Sequence, residues 1–324
     1  MTEVYRNLPP AGAPSDLWVV TSFYNPEGYR RRITNFKRFK RDLTVPLVVV
    51  ELSFNGQYHI DTDAAEIVVR IPGSAVLWQK ERLLNIALEH VPRDVSHIAW
   101  LDCDVLFGNT NWPVDAAEHL KRFPLVQLFS ELHDLGPGDD NLRPGDINVS
   151  PSGSGIAWLV ATGGLGSDHF SPKTTRLARH RAFGLAWAAN RALLESHGFY
   201  DAMILGSGDR AMACAAYGRF NDAIESCHLN ERRAAHYLAW AKPFYESVQA
   251  NVGYLPGTLF HLWHGDLANR GYRERHIALA QLEFDPAVDI HVDENGAWAW
   301  TQNRPEIAAL TQQYFKSRLE DGAE

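Results

Sequence analysis

Runs of apolar residues and their spacing divide the first 130 positions into short elements. Residues 17 to 24, "LWVVTSFY", form an apolar run of strand length, ended by "NPEG". From 28 to 42 the spacing turns helical, with Ile33, Phe36 and Phe39 on one face and Arg or Lys elsewhere. "PLVVVEL" at 46 to 52 and "EIVVRIP" at 66 to 72 read as two more strands. Residues 76 to 91, "VLWQKERLLNIALEHV", predict a helix, 97 to 107, "HIAWLDCDVLF", a strand, and 123 to 129, "FPLVQLF", another. Strand and helix alternate as in an α/β fold with a mostly parallel central sheet flanked by helices.

The later chain is less regular. Residues 134 to 175 are dense in Gly, Pro, Ser and Asp, with the apolar island "IAWLVA" at 156 to 161, and read as a long mobile loop or lid. A short strand, a helix from about 190 to 197 closed by Gly198, and the Ala-rich helix "DRAMACAAYGRF" follow. "TLFHLWHGDLANRGYRERHIALAQL" reads as strand end, loop and helix, and a last helix runs from about 304 to 319. The expected organisation is a loosely ordered stretch at 1–15, one catalytic domain at 16–285 and a C-terminal helical extension at 286–324.

Two acids interrupt the run at 97 to 107. Asp102 and Asp104 follow apolar Ile98 to Leu101 and precede Val105 to Phe107, with no Gly or Pro until Gly108. Ligands of open parallel sheets collect at the carboxyl ends of strands. Two carboxylates there can converge on a hard cation, Mg2+ or Mn2+, completed by phosphate oxygens of a substrate. Two solvated turn residues are the alternative.

Composition narrows the partners. The chain has 324 residues, 45% hydrophobic, and a formal charge of -8, which gives no overall sign of nucleic-acid or membrane binding. Cys103, Cys214 and Cys227 have no CxxC spacing and read as reduced thiols. No run reaches the ~18 apolar residues of a membrane span, and the first residues lack an apolar core, so a cytoplasmic protein is expected.

These segments resemble the nucleotide-sugar-dependent glycosyltransferases of the GT-A fold. "LWQKERLLNIALEH" followed by "HIAWLDCDVLF" is similar to the β-1,4-galactosyltransferase family, with Cys103 where the family has Val. The resemblance implies that Lys80 touches the diphosphate of a UDP-sugar donor and that Asp104, with Asp102, holds Mn2+ or Mg2+. "AFGLAWAANRALLESHGFYDAMILGSGDRAM" resembles the segment that carries the family's general base. There the usual pair of acids is reduced to Asp209, after Gly206, Ser207 and Gly208, and before Arg210. A carboxylate opening a helix also reads as a plain N-cap. "FHLWHGDLANRGYRERH" resembles the segment whose His completes the metal site. His264 fits best, His261 is the reserve, and one ligand, not two, is expected. More loosely, Phe23 or Tyr24 would stack on uracil, Asn25 would bond it, and Glu51 would meet the base or ribose. Trp158, Trp187 and Gly208 are grouped on the acceptor side.

The resemblance spans residues 17 to 276 and implies an inverting hexosyl transfer to an acceptor hydroxyl: a glycan, a small molecule, a protein or a hydroxymethylated DNA base. The basic stretch from Arg30 to Arg41 leaves a nucleic-acid acceptor open. A nucleotidyltransferase on a related sheet, or a carbohydrate-binding protein without catalysis, are the alternatives.

Overall fold

Eight residues, Leu17–Tyr24, are all buried and form the strand at the centre of the molecule. The computed structural model describes residues 1–7, 16–139, 151–163, 169–171, 180–301 and 303–322. In chain order the elements are β1 (Glu3–Arg6), β2 (Leu17–Tyr24), α1 (Arg30–Asp42), β3 (Leu47–Ser53), β4 (Ile67–Pro72), α2 (Lys80–His90), β5 (His97–Leu101), β6 (Val105–Phe107), α3 (Trp112–Leu120), β7 (Leu125–Gln127), β8 (Glu131–Asp134), β9 (Gly153–Gly155), α4 (Ile156–Gly163), β10 (His180–Ala182), β11 (Ala186–Asn190), α5 (Arg191–His197), α6 (Gly208–Ala216), α7 (Phe220–Ser226), α8 (Glu231–Val248), β12 (Val252–Tyr254), β13 (Thr258–His261), α9 (Glu274–Gln281), α10 (Pro286–Asp289), β14 (Ile290–Val292), β15 (Trp298–Trp300) and α11 (Pro305–Ser317).

The central sheet has the order β1-β4-β3-β2-β5-β11-β7-β12 among the described residues, and helices flank it. β4, β3, β2 and β5 run parallel, as their apolar character on both faces demands. β1 and β11 are antiparallel to their neighbours, so the sheet is mixed. Residues 3 to 6, expected to be loose, are an edge strand on β4. α1 buries Phe36 and Phe39, exposes Arg30, Lys37 and Arg41, and turns Arg32 inward, with Lys40 and Arg41 at its C-terminus, where cations are favoured.

The run at 97 to 107 is two strands, not one. β5 stays in the central sheet beside β2 and β11, whereas β6 joins a second sheet of order β10-β9-β8-β13-β6. The crossing is Asp102 to Asp104. The Asp102 N–H donates to the Leu185 carbonyl at 2.8 Å on the central-sheet side. The Leu262 N–H donates to the Asp104 carbonyl at 2.8 Å on the other. Apolar residues on both sides are thus explained by two sheets, and the acids by the gap between them.

The helix predicted at 76 to 91 spans Lys80–His90, and just before it the Trp78 N–H donates to the Ile204 carbonyl at 2.9 Å. Within the expected lid, β8 begins at Glu131, and β9 and α4 occupy 153–163. Residues 140–150, 164–168 and 172–175 lie outside the described residues, as do 8–15. The tail from residue 286 packs on the body: Ile290, Ile307 and Tyr314 share a core with Ala75, Leu77, Ile204 and Leu279. No described helix is long and apolar enough to cross a membrane.

Candidate functional site

The sheet crossing sends the two acids to different partners. β6 pairs antiparallel with β13, setting His261 opposite Val105. That register brings Asp104 beside the two histidines. Asp104 Oδ2 is 3.3 Å from His264 Nε2, and Oδ1 is 3.7 Å from His261 Nε2. The two Nε2 atoms are 3.1 Å apart. One donor atom from each residue fits within 4.8 Å of the others. Both histidines therefore face the same point, against the expectation of a single ligand. His261 ends a strand and His264 lies in the irregular segment beyond it, so three residues of separation do not set their faces apart.

Each imidazole is backed by a carboxylate. His261 Nδ1 lies 2.9 Å from Asp134 Oδ1, on the neighbouring strand β8. His264 Nδ1 lies 3.5 Å from Glu320 Oε1, beyond α11. At His261 the carboxylate assigns the proton to Nδ1 and leaves Nε2 as a lone pair. His264 Nδ1 also lies 3.4 Å from Arg318 Nη2, and the shorter 2.8 Å bond from Arg270 places the His264 lone pair on Nε2. Burial alone would lower the His261 pKa, but the Asp134 bond and the Asp104 charge raise it. Burial and then the Arg270 charge push His264 down to about 4. Burial works against the Asp104 charge, yet His264, His261, Arg32 and Arg270 together hold its pKa below the usual value. Asp104 Oδ1 is buried and accepts no hydrogen bond. An orphaned carboxylate oxygen beside two imidazole lone pairs is a donor set that fits a divalent metal ion. The cleft at this point is lined by Asp134, His261, His264, Gly265, Asp266 and Arg270.

Glu320 gathers cations. It is 1% exposed, pairs with Arg32 at 3.2 Å, and accepts a short bond from Arg318. Gly265 makes this approach feasible. It sits at φ +83, and a Cβ there would lie 2.5 Å from the Arg318 carbonyl oxygen.

Asp102 belongs to a second cluster. Lys80, at the start of α2, ion-pairs with Asp102 and donates to both oxygens of Asp209, at 2.9 and 3.1 Å. Asp102, expected to share the metal with Asp104, stands apart from the Asp104, His261 and His264 group: its carboxylate pairs with Lys80, because the chain turns between the two sheets at that point. Burial would strip Lys80 of its proton, but Asp102 and Asp209 hold its pKa well above the ordinary value. Burial raises Asp102 to about 6. Beside them Glu81, buried and raised to about 8 by burial and by Asp209, has an Oε1 without a partner. Three carboxyls face one ammonium, so a proton on Glu81 reduces the excess negative charge of the cluster. Gly208 is required here, since a Cβ would lie 2.2 Å from Glu81 Oε1. Asp209 stands in the first turn of α6 after Ser207, which is left-handed at φ +76. The Ser207 side chain does not cap the helix, and the Asp209 carboxylate is held by Lys80.

The expected nucleotide contacts are placed differently. Phe23 is fully buried with its ring edge-on to Phe36 at 5.7 Å, so core packing takes the face a base would need. Tyr24 is buried between Trp78 and Phe315, with its hydroxyl unpartnered. Both polar atoms of the Asn25 side chain bond the Tyr29 backbone. Glu51, pushed up to about 7 by burial, accepts from the His59 and Ile60 N–H groups. Trp187 is core: it stacks on Trp100 and donates its indole N–H to Phe183 O at 2.9 Å. Trp158 is half-buried on α4. The three cysteines are buried and unpaired, and burial pushes Cys103 up to about 12.

Glu81, Asp134, Arg270, Arg318 and Glu320 escaped the sequence reading. Glu81 lies inside the segment that singled out Lys80, and its charge at a helical position facing the core was the available signal. Glu320 had none, because its role depends on how α11 packs.

No family model matches the chain, and no curated protein matches it. Among solved structures it is similar to the 4-diphosphocytidyl-2C-methyl-D-erythritol synthase of Anaerococcus prevotii, at 8% identity and TM-score 0.35, over 74% of this chain and 86% of that one. It is similar to TarS of S. aureus, at 12% identity and TM-score 0.38, over 82% of this chain but 43% of that one. It is also similar to the catalytic domain of Drosophila beta1,4galactosyltransferase 7, at 14% identity and TM-score 0.29, over 64% and 61%. At these values the likenesses assign neither family nor activity, and function is argued from the geometry alone.

Proposed function

We propose that the chain is a metal-dependent glycosyltransferase that moves a sugar from a nucleotide diphosphate sugar, a UDP-sugar by preference, to an acceptor hydroxyl with inversion. The observation that carries this reading is the convergence of Asp104, His261 and His264, each imidazole backed by a carboxylate, beside the Lys80–Asp102–Asp209 cluster. Asp104, His261 and His264 would hold the ion. Two imidazoles disfavour Mg2+, which seeks oxygen, and leave Mn2+ of the two expected ions. Bound there, the ion would neutralise charge developing on the departing diphosphate.

The chain's own groups do the rest. Lys80 is held charged by two carboxylates and stands ready to share its ammonium with a phosphate oxygen. As it does so, it releases the two Asp209 oxygens that it holds, freeing them to meet an acceptor hydroxyl. Its side chain is 26% exposed, open enough to meet an acceptor hydroxyl. Glu81 keeps the cluster from carrying three negative charges around one ammonium. Asp102 holds Lys80 in place. Trp158 is retained as a candidate sugar platform.

The test is nucleotide release. UDP should appear from UDP-sugars when Mn2+ is present and stop when it is chelated. Pyrophosphate release would establish nucleotidyl transfer instead, and neither product would point to carbohydrate binding without catalysis.

A further inference from the structure

Arg270 occupies the lone pair that a metal ion needs. Its Nη2 donates to His264 Nε2 at 2.8 Å. His264 Nε2 also faces Asp104 Oδ2 and His261 Nε2. An imidazole nitrogen has one lone pair, which accepts an N–H or binds a cation, never both. The guanidinium and a metal ion at this site are therefore mutually exclusive, on steric as well as electrostatic grounds.

Arg270 is also the cation of this group best placed to leave. Arg32 and Arg318 are tied to Glu320, and Arg275 donates to Tyr314 Oη and Ser207 Oγ. Arg270 forms no ion pair with a carboxylate among the described residues. Its other side-chain bond is to the exposed Tyr272 hydroxyl, at 3.2 Å. It ends a one-turn segment, Leu267–Arg270, that contributes no buried residue. Gly265 at φ +83 and Gly271 at φ +46 bracket that segment. The side chain can swing away without unpacking the core.

We propose that Arg270 is a diphosphate-binding residue stored on the metal's own ligand. The arriving ion displaces it from His264 Nε2, and the freed guanidinium takes a phosphate oxygen of the nucleotide that comes with the ion. Arginine suits both positions, since its planar fork donates equally to a ring nitrogen and to phosphate. This inference rests on the metal reading above. It adds a consequence of its own: the ion alone binds weakly because it must evict a cation, whereas ion and diphosphate strengthen one another.

The experiment titrates Mn2+ into the full chain, following free Mn2+ by electron paramagnetic resonance, with and without UDP. Arg270→Ala should bind Mn2+ alone about tenfold more tightly than the wild type, and UDP at saturating Mn2+ about tenfold more weakly, within the usual range of coupling between sites. Arg270→Lys, which keeps the charge but loses the fork, should fall between. Mn2+ affinity in Arg270→Ala equal to or below that of the wild type overturns the proposal. His264→Ala separates the two levels. If it loses Mn2+ while Arg270→Ala matches the wild type, only the role of Arg270 fails. If His264→Ala and the wild type bind Mn2+ alike in the presence of UDP, or if neither they nor Arg270→Ala bind it, the metal reading fails and takes this inference with it.

Discussion

His261 Nε2 and His264 Nε2 lie 3.1 Å apart, each with a carboxylate behind its other nitrogen. Two lone pairs cannot face each other at that distance without a positive charge between them, be it a proton, a guanidinium hydrogen or a metal ion. The arrangement turns both side chains into partners of one cation, and it ranks the variants of this site.

Removing either imidazole should weaken Mn2+ binding by a comparable factor, rather than His264 dominating. Asp104→Ala should lower it further, since it removes the charged ligand of the set. Calorimetric Mn2+ titrations of the three variants would show the order. A wild-type affinity in Asp104→Ala would rule this cluster out as the metal site.

The backing carboxylates should matter nearly as much as the ligands. Asp134→Asn and Glu320→Gln leave His261 and His264 in place but loosen ring orientation and tautomer. Such outer partners typically contribute ~10–100-fold in metal affinity. Glu320→Gln should also destabilise the fold, because it leaves Arg32 and Arg318 buried without their counter-charge. Binding and thermal melts measured together would separate the two effects.

Asp209→Asn should leave Mn2+ and UDP-sugar binding nearly intact while turnover falls by ~10²–10⁴-fold, the usual contribution of a general base. The amide keeps the shape of the side chain but accepts no proton. Near-normal turnover in this variant would remove Asp209 as the base and the inverting assignment with it. The anomeric coupling of the product, read by NMR, reports the stereochemistry independently.

Glu81 makes a prediction about pH. Burial raises its folded pKa to about 8, above the 4.5 of an ordinary glutamate. Between those values the folded chain holds a proton that the unfolded chain has released. Stability from this group is therefore complete below about 4.5 and is lost as pH rises towards about 8. Glu81→Gln, which cannot ionise, should lack this slope. Its melting temperature should gain on the wild type between pH 5 and 8, and parallel curves would show that Glu81 is ionised in the fold. Gly208→Ala should destabilise at any pH, since its Cβ would fall 2.2 Å from Glu81 Oε1.

The sequence alone determined the local elements. The eight buried residues of β2 match their predicted span, α1 follows from Phe36 and Phe39 on one face, and β3 and β4 follow from β-branched runs. It also marked Asp102 and Asp104 as an interruption that packing does not require. Periodicity carries this much because it reflects which face of one element meets the core, a property of neighbours in the chain. What each acid touches was decided elsewhere. One switch of sheet between Leu101 and Val105 sends Asp102 to Lys80 and Asp104 to His261 and His264. Lys80 meets Asp209 across 129 residues of sequence, and Arg318 reaches His264 across 54. No local pattern encodes such meetings. They follow from strand order and from how the last helix docks, which is also why Phe23 and Trp187, both plausible platforms as letters, are core side chains in the folded protein.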